Sequence, residues 1–452
     1  MVKKLTGKFL RDIDKKHVWH PFTQMSEWME EDFPVISHGK DNYIYDVDGK
    51  KYLDGVSSIW CNIHGYANRE LNEALRKQMD KISHSTFLGM SNVPAILLAK
   101  KLIDILPGEL TRVFYSDNGS TAVEVGIKMC LQYWQHTGRP EKQMFVSLRN
   151  GYHGDTIGAM SVGGIDLFHS AFKPLLFQSI RVASPYCYRC ELGLEYPLCE
   201  IACVEEIESI AKNYPGVIAG LVIEPMVQAA GGFIMSPPGY LKRVYEITRK
   251  HEILLIADEV ATGFMRTGRM FACEHEGVVP DILCISKGLT SGYMPLAATV
   301  TGENVFAAFL GRYEEFKSFF HGHTYTGNQL GCSLAIRSIE LLTRKKFLNS
   351  IAQKIKIFEK GIDKFKKLKH VGEVRNLGLM GGIEIVKRKD TKEPYNLKEK
   401  VGIRVCREVR KDNIFLRPLG NVVVLMPPLS ITKEEIKHLL DATYNAISKI
   451  TD

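Results

Sequence analysis

No apolar run in this 452-residue sequence reaches the ~20 residues that a helix needs to cross a bilayer. Residues 1–12 carry basic side chains with no apolar stretch behind them, so we expect no signal peptide there. Neither sign of charge dominates, because 59 lysines and arginines accompany 51 aspartates and glutamates, a net charge of +8. This modest excess indicates no nucleic-acid partner, although it permits an anionic ligand. We expect a cytoplasmic protein that binds neither membrane nor nucleic acid.

Motifs that define several common enzyme classes are also missing. The sequence has no G-x-x-x-x-G-K-[ST] loop, no G-x-G-x-x-G after a strand and no G-x-S-x-G elbow. It contains no internal repeat and no low-complexity tract. An apolar fraction of 45% with 24% charged residues is ordinary for a globular protein and excludes disordered or collagen-like chains.

What is present is an alternation of short apolar runs and helical patterns between residues 111 and 301. The apolar runs cover residues 113–115, 144–146, 217–223, 253–257 and 282–285. The clearest helix covers residues 121–134, where Thr121 and Glu124 have the spacing of a capping box. Continuous apolar strands separated by helices predict an α/β fold with a mainly parallel sheet covered on both faces.

The pattern changes at the two ends of the chain. Near the start, Asp48-Gly49 predicts the turn of a hairpin, and after Gly331 apolar residues recur every three or four positions from Ile351 to Phe365. Residues 371–440 then mix short strands and helices. We therefore expect a large domain over residues 76–330, a smaller α+β domain over 331–452, and an N-terminal segment, 1–75, that joins the small domain.

The residues that follow the predicted strands carry the chemistry. Ligands of open α/β sheets bind beyond the carboxyl ends of the strands. Residues 116–121 read Ser-Asp-Asn-Gly-Ser-Thr, so helix-start amides and hydroxyl groups there could hold a phosphate. Asp258 ends one strand and Lys287 follows another. A cap or a local ion pair could explain each of these residues separately.

Taken together, these strand ends match the needs of one cofactor. Pyridoxal phosphate requires an anion site, a carboxylate for its ring nitrogen and a lysine that forms a Schiff base. Tyr152 and His153 follow a further strand and add a flat side chain beside the ring. The sequence therefore predicts pyridoxal 5'-phosphate as cofactor, in a large domain that binds it, and no metal at the catalytic site.

Several stretches resemble class III (ornithine-type) aminotransferases of the type I pyridoxal phosphate fold. They are residues 256–263, Arg266-Thr-Gly268, Ser286-Lys-Gly288 and Glu224-Pro225. Others resemble one branch of that class, which aminates 8-amino-7-oxononanoate in biotin biosynthesis. Those stretches are residues 19–25, 117–134, 151–156, 271–275, 321–324, 417–420 and 425–428. The resemblance implies a homodimeric transaminase with shared active sites and a ping-pong reaction.

The resemblance also implies roles for individual residues. Lys287 would be the Schiff-base lysine that moves the proton, and Asp258 would keep the ring nitrogen protonated. The phosphate would be bound by Gly119 and Ser120, and by His323 and Thr324 of the other subunit. Substrates would meet Phe22, Ile59, Trp60, Tyr152, Gly322 and Arg417, with Tyr152 also stacked on the ring.

Three of these positions leave the amino donor open. Phe22, Ile59 and Leu419 stand where relatives often carry a tyrosine, a tryptophan and an aromatic residue. A thinner aromatic wall suits lysine, the smaller donor, whereas the branch as a whole points to S-adenosylmethionine. An aminomutase on the same scaffold is a further alternative, which Arg417 and the Trp19-His-Pro segment disfavour.

Ten cysteines are present, and six of them are scattered in apolar surroundings typical of buried side chains in a reducing compartment. The six are Cys61, Cys130, Cys273, Cys284, Cys332 and Cys406. The other four, Cys187, Cys190, Cys199 and Cys203, are clustered. Either they bind a structural Zn²⁺ away from the chemistry, or they are free thiols of a loop that packs without metal.

Overall fold

The structure is a computed structural model that describes residues 6–452. Residues 1–5, part of the segment expected not to be a signal peptide, lie outside the described range. The strands are β1 (Ile36–Lys40), β2 (Tyr43–Asp46), β3 (Lys51–Asp54), β4 (Leu110–Ser116), β5 (Met144–Leu148), β6 (Ile180–Val182), β7 (Ile218–Ile223), β8 (Val227–Gln228), β9 (Ile234–Met235), β10 (Leu254–Asp258), β11 (Ile282–Ile285), β12 (Ala297–Gly302), β13 (Val371–Leu377), β14 (Met380–Arg388), β15 (Glu393–Pro394), β16 (Ile414–Phe415), β17 (Pro418–Leu419) and β18 (Val422–Leu425).

Helices cover both faces of the sheets. They are α1 (Gly7–His17), α2 (Met25–Glu30), α3 (Ser57–Trp60), α4 (Arg69–Met79), α5 (Val93–Ile103), α6 (Gly119–His136), α7 (Ile157–Ser161), α8 (Asp166–His169), α9 (Glu205–Asn213), α10 (Tyr240–Lys250), α11 (Glu303–Ala307), α12 (Gln329–Leu342), α13 (Lys345–Ile362), α14 (Val401–Val409) and α15 (Lys433–Thr451). Among the described residues, none of these helices is long and apolar enough to span a membrane.

The central sheet has seven strands in the order β4-β12-β11-β10-β7-β5-β6. β12 runs antiparallel to both of its neighbours, and the other adjacent pairs are parallel. The carboxyl ends of β4, β5, β7, β10 and β11 therefore lie along one edge. The predicted α/β fold with a mainly parallel sheet is confirmed.

Burial on both faces explains why the central strands are apolar throughout. Every residue of β7, β10 and β11 is buried. On one face Ile282 and Cys284 pack against α6, where a Cβ added to Gly126 would lie 3.2 Å from the Cys284 sulfur. Small residues on the helix thus let it approach the sheet closely.

The start of α6 differs from the prediction. The capping residue is Asn118 and not Thr121, because the Asn118 side chain accepts the Thr121 N–H at 3.0 Å. Glu124 instead accepts the N–H of Gly158 at 2.6 Å, at the start of α7. The helix therefore begins at Gly119, two residues before the predicted start, and Gly119 and Ser120 fall into its first turn.

Residues from both ends of the chain share one small sheet. The predicted hairpin is confirmed as β2 and β3, which pair antiparallel around Gly49 at φ 86°. β3 also pairs in parallel with β16, about 360 residues further on. This pairing supports the division at residues 75 and 330, which stays a proposal.

The predicted amphipathic helix is confirmed as α13, with Ile351 and Phe358 buried.

Five of the six single cysteines are buried as expected. Cys61 is the exception, because it is only partly buried and lines a large cavity.

Candidate active site

A cavity of about 970 Å³ opens at the carboxyl edge of the central sheet. Nine of the predicted site residues line it: Phe22, Ile59, Trp60, Gly119, Ser120, Tyr152, Asp258, Lys287 and Arg417. They come from the N-terminal segment, from the ends of four central strands and from the segment before β18. A volume of this size holds a cofactor together with a substrate.

The first turn of α6 forms an anion site on the cavity wall. The backbone N–H groups of Gly119 and Ser120 have no acceptor within residues 6–452. A Cβ added to Gly119 would lie 2.6 Å from a methyl carbon of Val260, another lining residue, so only glycine fits there without a shift. Free amides at a helix start favour a negatively charged group, and the Ser120 hydroxyl adds a further polar contact.

A buried carboxylate faces the same cavity. Asp258 accepts a hydrogen bond from its neighbour Val260 at 3.1 Å and is 2.8 Å from Nδ1 of His153. Both side chains are buried. Burial alone would lower the pKa of His153, but the hydrogen bond and charge of Asp258 raise it instead. The hydrogen bond with the imidazole therefore fixes the orientation of the Asp258 carboxylate in the cavity wall.

Lys287 begins a short 3-10 turn directly after β11, with φ of 42°. Its Nζ lies 4.8 Å from the ring centroid of Trp60 and has no hydrogen-bond partner or ion pair in the described part of the chain. Burial lowers the pKa of Lys287, although the charges of Asp258 and Glu224 oppose this shift. A larger share of neutral amine at ordinary pH makes the lysine a nucleophile.

Tyr152 is held in the cavity by two carboxylates. Its backbone N–H donates to Glu224 at 3.0 Å, and its hydroxyl donates to Asp155 at 2.7 Å. Burial, with the charge of Asp258 nearby, raises the pKa of Glu224 to about 7. These two hydrogen bonds fix the position of Tyr152 in the cavity wall.

Phe22, Ile59 and Arg417 lie on an exposed wall of the cavity. Phe22 and Ile59 are more than half exposed, and Phe22 packs edge-on against Phe168 at 5.3 Å between ring centroids. Arg417 is exposed and forms no ion pair with any residue from 6 to 452. The wall therefore suits an apolar chain with a negatively charged end.

Three predicted site residues lie elsewhere. Gly322, His323 and Thr324 are outside this cavity, and the first and last of them are exposed. The Nε2 atom of His323 is buried without a hydrogen-bond partner in the described structure.

Sequence reasoning missed three residues that shape the site. Glu224 directly follows β7, so the strand-end rule applied to Asp258 and Lys287 would have found it. The sequence indicates His153 only as a flat neighbour of the ring, yet a buried aspartate requires a partner. The third residue is Arg266.

Arg266 is fully buried, and its hydrogen bonds support one wall of the cavity. It donates to the backbone oxygens of Trp60 at 3.3 Å, Asn62 at 2.7 Å and Pro427 at 2.9 Å. One side chain thus ties the N-terminal segment and the strand β18 region to the large sheet. No periodicity in the sequence indicates this role.

The fold and the site define a transaminase. Residues 25–447 match the family model for aminotransferase class-III, and the chain belongs to that family. Adenosylmethionine-8-amino-7-oxononanoate aminotransferase of Geobacter sulfurreducens is 54% identical over 443 residues, covering 98% of each chain. The protein of the same name from Aquifex aeolicus is 48% identical over 448 residues, covering 99% of each.

Solved structures give the same result. The crystal structure of adenosylmethionine-8-amino-7-oxononanoate aminotransferase from Methanocaldococcus jannaschii superposes with a TM-score of 0.93 at 47% identity, covering 98% of this chain and 99% of that one. An (S)-enantioselective omega-transaminase from Thermomicrobium roseum has a TM-score of 0.94 at 33% identity, covering 100% of both chains.

Proposed function

We propose that this enzyme transfers an amino group from S-adenosylmethionine to 8-amino-7-oxononanoate, giving 7,8-diaminononanoate in cytoplasmic biotin biosynthesis. The observation that carries the proposal is one cavity that holds a nucleophilic lysine, a buried carboxylate, an anion site and an unpaired arginine. The names and full-length similarity of the relatives support this choice of substrates among those of transaminases.

The residues present fit pyridoxal 5'-phosphate as the cofactor. The free amides of Gly119 and Ser120 suit its phosphate, the Asp258 carboxylate suits its protonated ring nitrogen, and Lys287 supplies an amine for its aldehyde. When bound, the cofactor accepts electrons from the reacting carbon and carries the amino group between the two substrates.

The protein's own residues then have distinct tasks. Lys287 would hold the cofactor through its amine and, when that amine is free, accept and return the proton at the reacting carbon. Asp258, oriented by its hydrogen bond with His153, would hold the charge of the ring nitrogen. Tyr152 would face the ring, and Trp60 lies 4.8 Å from the Lys287 amine and would help to exclude water from it.

The test of the function is to follow the two half-reactions separately. We expect the enzyme loaded with cofactor to be converted by S-adenosylmethionine, and the aminated form to be reconverted by 8-amino-7-oxononanoate. The absorbance change of the bound cofactor measures each rate. If 8-amino-7-oxononanoate fails while a simple keto acid without its apolar chain is accepted, the assignment of the acceptor is wrong.

Arg417 provides the matched variant for this test. Its guanidinium is the unpaired cation on the cavity wall, so Arg417→Ala is expected to raise the KM for 8-amino-7-oxononanoate at least ~10-fold, since charge-assisted hydrogen bonds are worth ~1.5–3 kcal/mol. The half-reaction with the donor should change little. Equal damage to both halves would refute the placement of the acid end at Arg417.

The donor is tested with the same assay. Phe22 and Ile59 themselves supply neither a hydroxyl group nor an indole to the cavity wall, which is the one observation that favours lysine as donor. Offering lysine and S-adenosylmethionine separately, at equal concentration, decides between them. We propose S-adenosylmethionine because the relatives carry it in their names.

We also propose that two copies of the chain form a dimer with shared sites. His323 and Thr324 lie in a segment whose large apolar side chains are exposed in the single chain, among them Phe316, Phe320 and Tyr325. The Tyr325 ring contacts that of His84, and exposed Leu88 follows four residues further on. Exposed apolar surface of this extent is typical of a protein interface.

Complementation tests the shared site. Lys287→Ala and Thr324→Ala are each expected to weaken activity in a homodimer. A mixed dimer should regain activity, because one of its two sites then has both Lys287 and the partner's Thr324. The measurement is specific activity after subunit exchange has been verified with differently tagged chains. Verified exchange with no gain above the two parents would contradict sharing.

A further inference from the structure

The four clustered cysteines surround a small cavity far from the chemistry. Cys187, Cys190, Cys199 and Cys203 all line a space of about 20 Å³, and no residue lines both this space and the active-site cavity. A space of this size admits one ion or one water and no organic ligand. The rest of its lining is largely apolar, with leucine, isoleucine, proline and tyrosine side chains.

The thiols around this cavity have no polar partner in the described part of the chain. None of the four is in a disulfide, and none of the four sulfur atoms has a hydrogen-bond partner within residues 6–452. All four side chains line the same small cavity, so one cation there could contact every sulfur.

The segment from residue 185 to residue 203, here the cysteine loop, has little regular structure of its own. It contains two short 3-10 turns, Cys187–Arg189 near its start and Ala202–Val204 at its end. A long irregular loop in a compact domain needs contacts that hold it. The loop contains three glutamates and one arginine, so its net negative charge also favours a cation.

Contacts at one end of the loop reach toward the active site. Tyr186 donates a hydrogen bond to Glu384, and Arg189 donates to the same carboxylate at 2.6 Å. Arg375 pairs with Glu384 at 2.7 Å and donates to the backbone oxygen of Gly232, a lining residue of the active-site cavity, at 2.8 Å. Order in the cysteine loop therefore supports a wall of the catalytic cavity.

We propose that Cys187, Cys190, Cys199 and Cys203 bind one structural Zn²⁺. The C-x2-C and C-x3-C pairs supply four ligands, the number that a closed tetrahedral site requires, with Zn–S bonds of about 2.3 Å. Within residues 6–452 no three ligands already stand in a coordinating arrangement, so the thiols rotate inward when the ion binds. Zn²⁺ replaces the four thiol protons, which leave to solvent, and no electron is transferred.

The experiment measures metal in the full-length wild-type chain. Protein purified under reducing conditions without chelator is dialysed with Zn²⁺, passed through a desalting column and analysed by mass spectrometry of the elements. We expect one zinc per chain. Replacement by Co²⁺ should give the sulfur-to-cobalt charge-transfer band and the intense visible bands of a tetrahedral thiolate site.

The test variant is the double substitution Cys187→Ala/Cys199→Ala. Its matched control is Cys406→Ala, because Cys406 is a buried thiol outside both cavities. We expect the Cys187→Ala/Cys199→Ala protein to contain no zinc and the Cys406→Ala protein to keep one zinc per chain. The Tm should be lower in a protein that has lost its zinc than in one that keeps it. Four reactive thiols and no zinc in the wild-type protein would overturn the proposal, as would disulfides among the four. Zinc retained by the first variant would also overturn it. The cobalt spectrum of the wild type decides the matter if that variant fails to fold.

Discussion

Replacing Lys287 with alanine is expected to lower the rate of transamination at least ~10³-fold while leaving the fold intact. The side chain lies in a buried site without an ion pair in the described chain, so its removal creates no unpaired partner. What is lost, under the proposed function, is the amine that would bind the cofactor and move the proton. Half-reaction rates with S-adenosylmethionine measure the loss.

A covalent readout separates this role from a structural one. Reduction with borohydride should fix the cofactor to the peptide that contains Lys287 in the wild type, and to no peptide in Lys287→Ala. Lys142→Met is the control, because burial lowers the pKa of Lys142 to about 8 in a place outside the cavity, 4.3 Å from the Trp134 ring centroid. Labelling of another lysine, or near-normal turnover of Lys287→Ala, would disprove the assignment.

Asp258→Asn is expected to lower the rate by ~10² or more, the scale of one lost preorganised electrostatic contact. The amide has the volume of the carboxylate but carries no charge for the ring nitrogen. The substitution also removes the negative charge that raises the pKa of His153, so the pKa of the imidazole should fall. NMR titration of that histidine measures the lowered pKa independently of activity.

Glu259→Gln is the matched control for Asp258. Glu259 is the next residue and is equally buried, but it is not a lining residue of the cavity and accepts the N–H groups of Ala272 at 2.7 Å and Cys273 at 2.8 Å. We expect a lower Tm and a rate per bound cofactor close to that of the wild type. A rate for Asp258→Asn within a few-fold of wild type would mean that another group protonates the ring.

The sequence predicts the central sheet well because burial on both faces demands continuous apolar strands. The same logic predicts that Asp258 and Lys287 share a site, since parallel strands end at one edge. The cap of α6 is less predictable, because three successive side chains can cap and the strand end selects Asn118.

Other parts of the site depend on contacts between distant segments. Trp60 and Arg417 are more than 350 positions apart, and no local pattern brings them to one cavity. Resemblance to the family indicated them, and only three-dimensional packing displays the support from Arg266 and Glu224. His323 and Thr324 lie outside the cavity of the single chain, and their part in the site depends on the proposed dimer.

The burial of Arg266 has a consequence for the order in which the enzyme is made. A ribosome releases Trp60 and Asn62 long before Pro427, yet one guanidinium needs the carbonyl oxygens of all three. β3 likewise cannot pair with β16 until β16 has been synthesised. The N-terminal wall of the cavity is therefore assembled after almost the whole chain has been synthesised, because its contacts join the two ends. A nascent chain stopped after residue 300 contains Lys287, Asp258 and the first turn of α6. It lacks Pro427 and β16, which make the contacts that hold the N-terminal wall of the cavity.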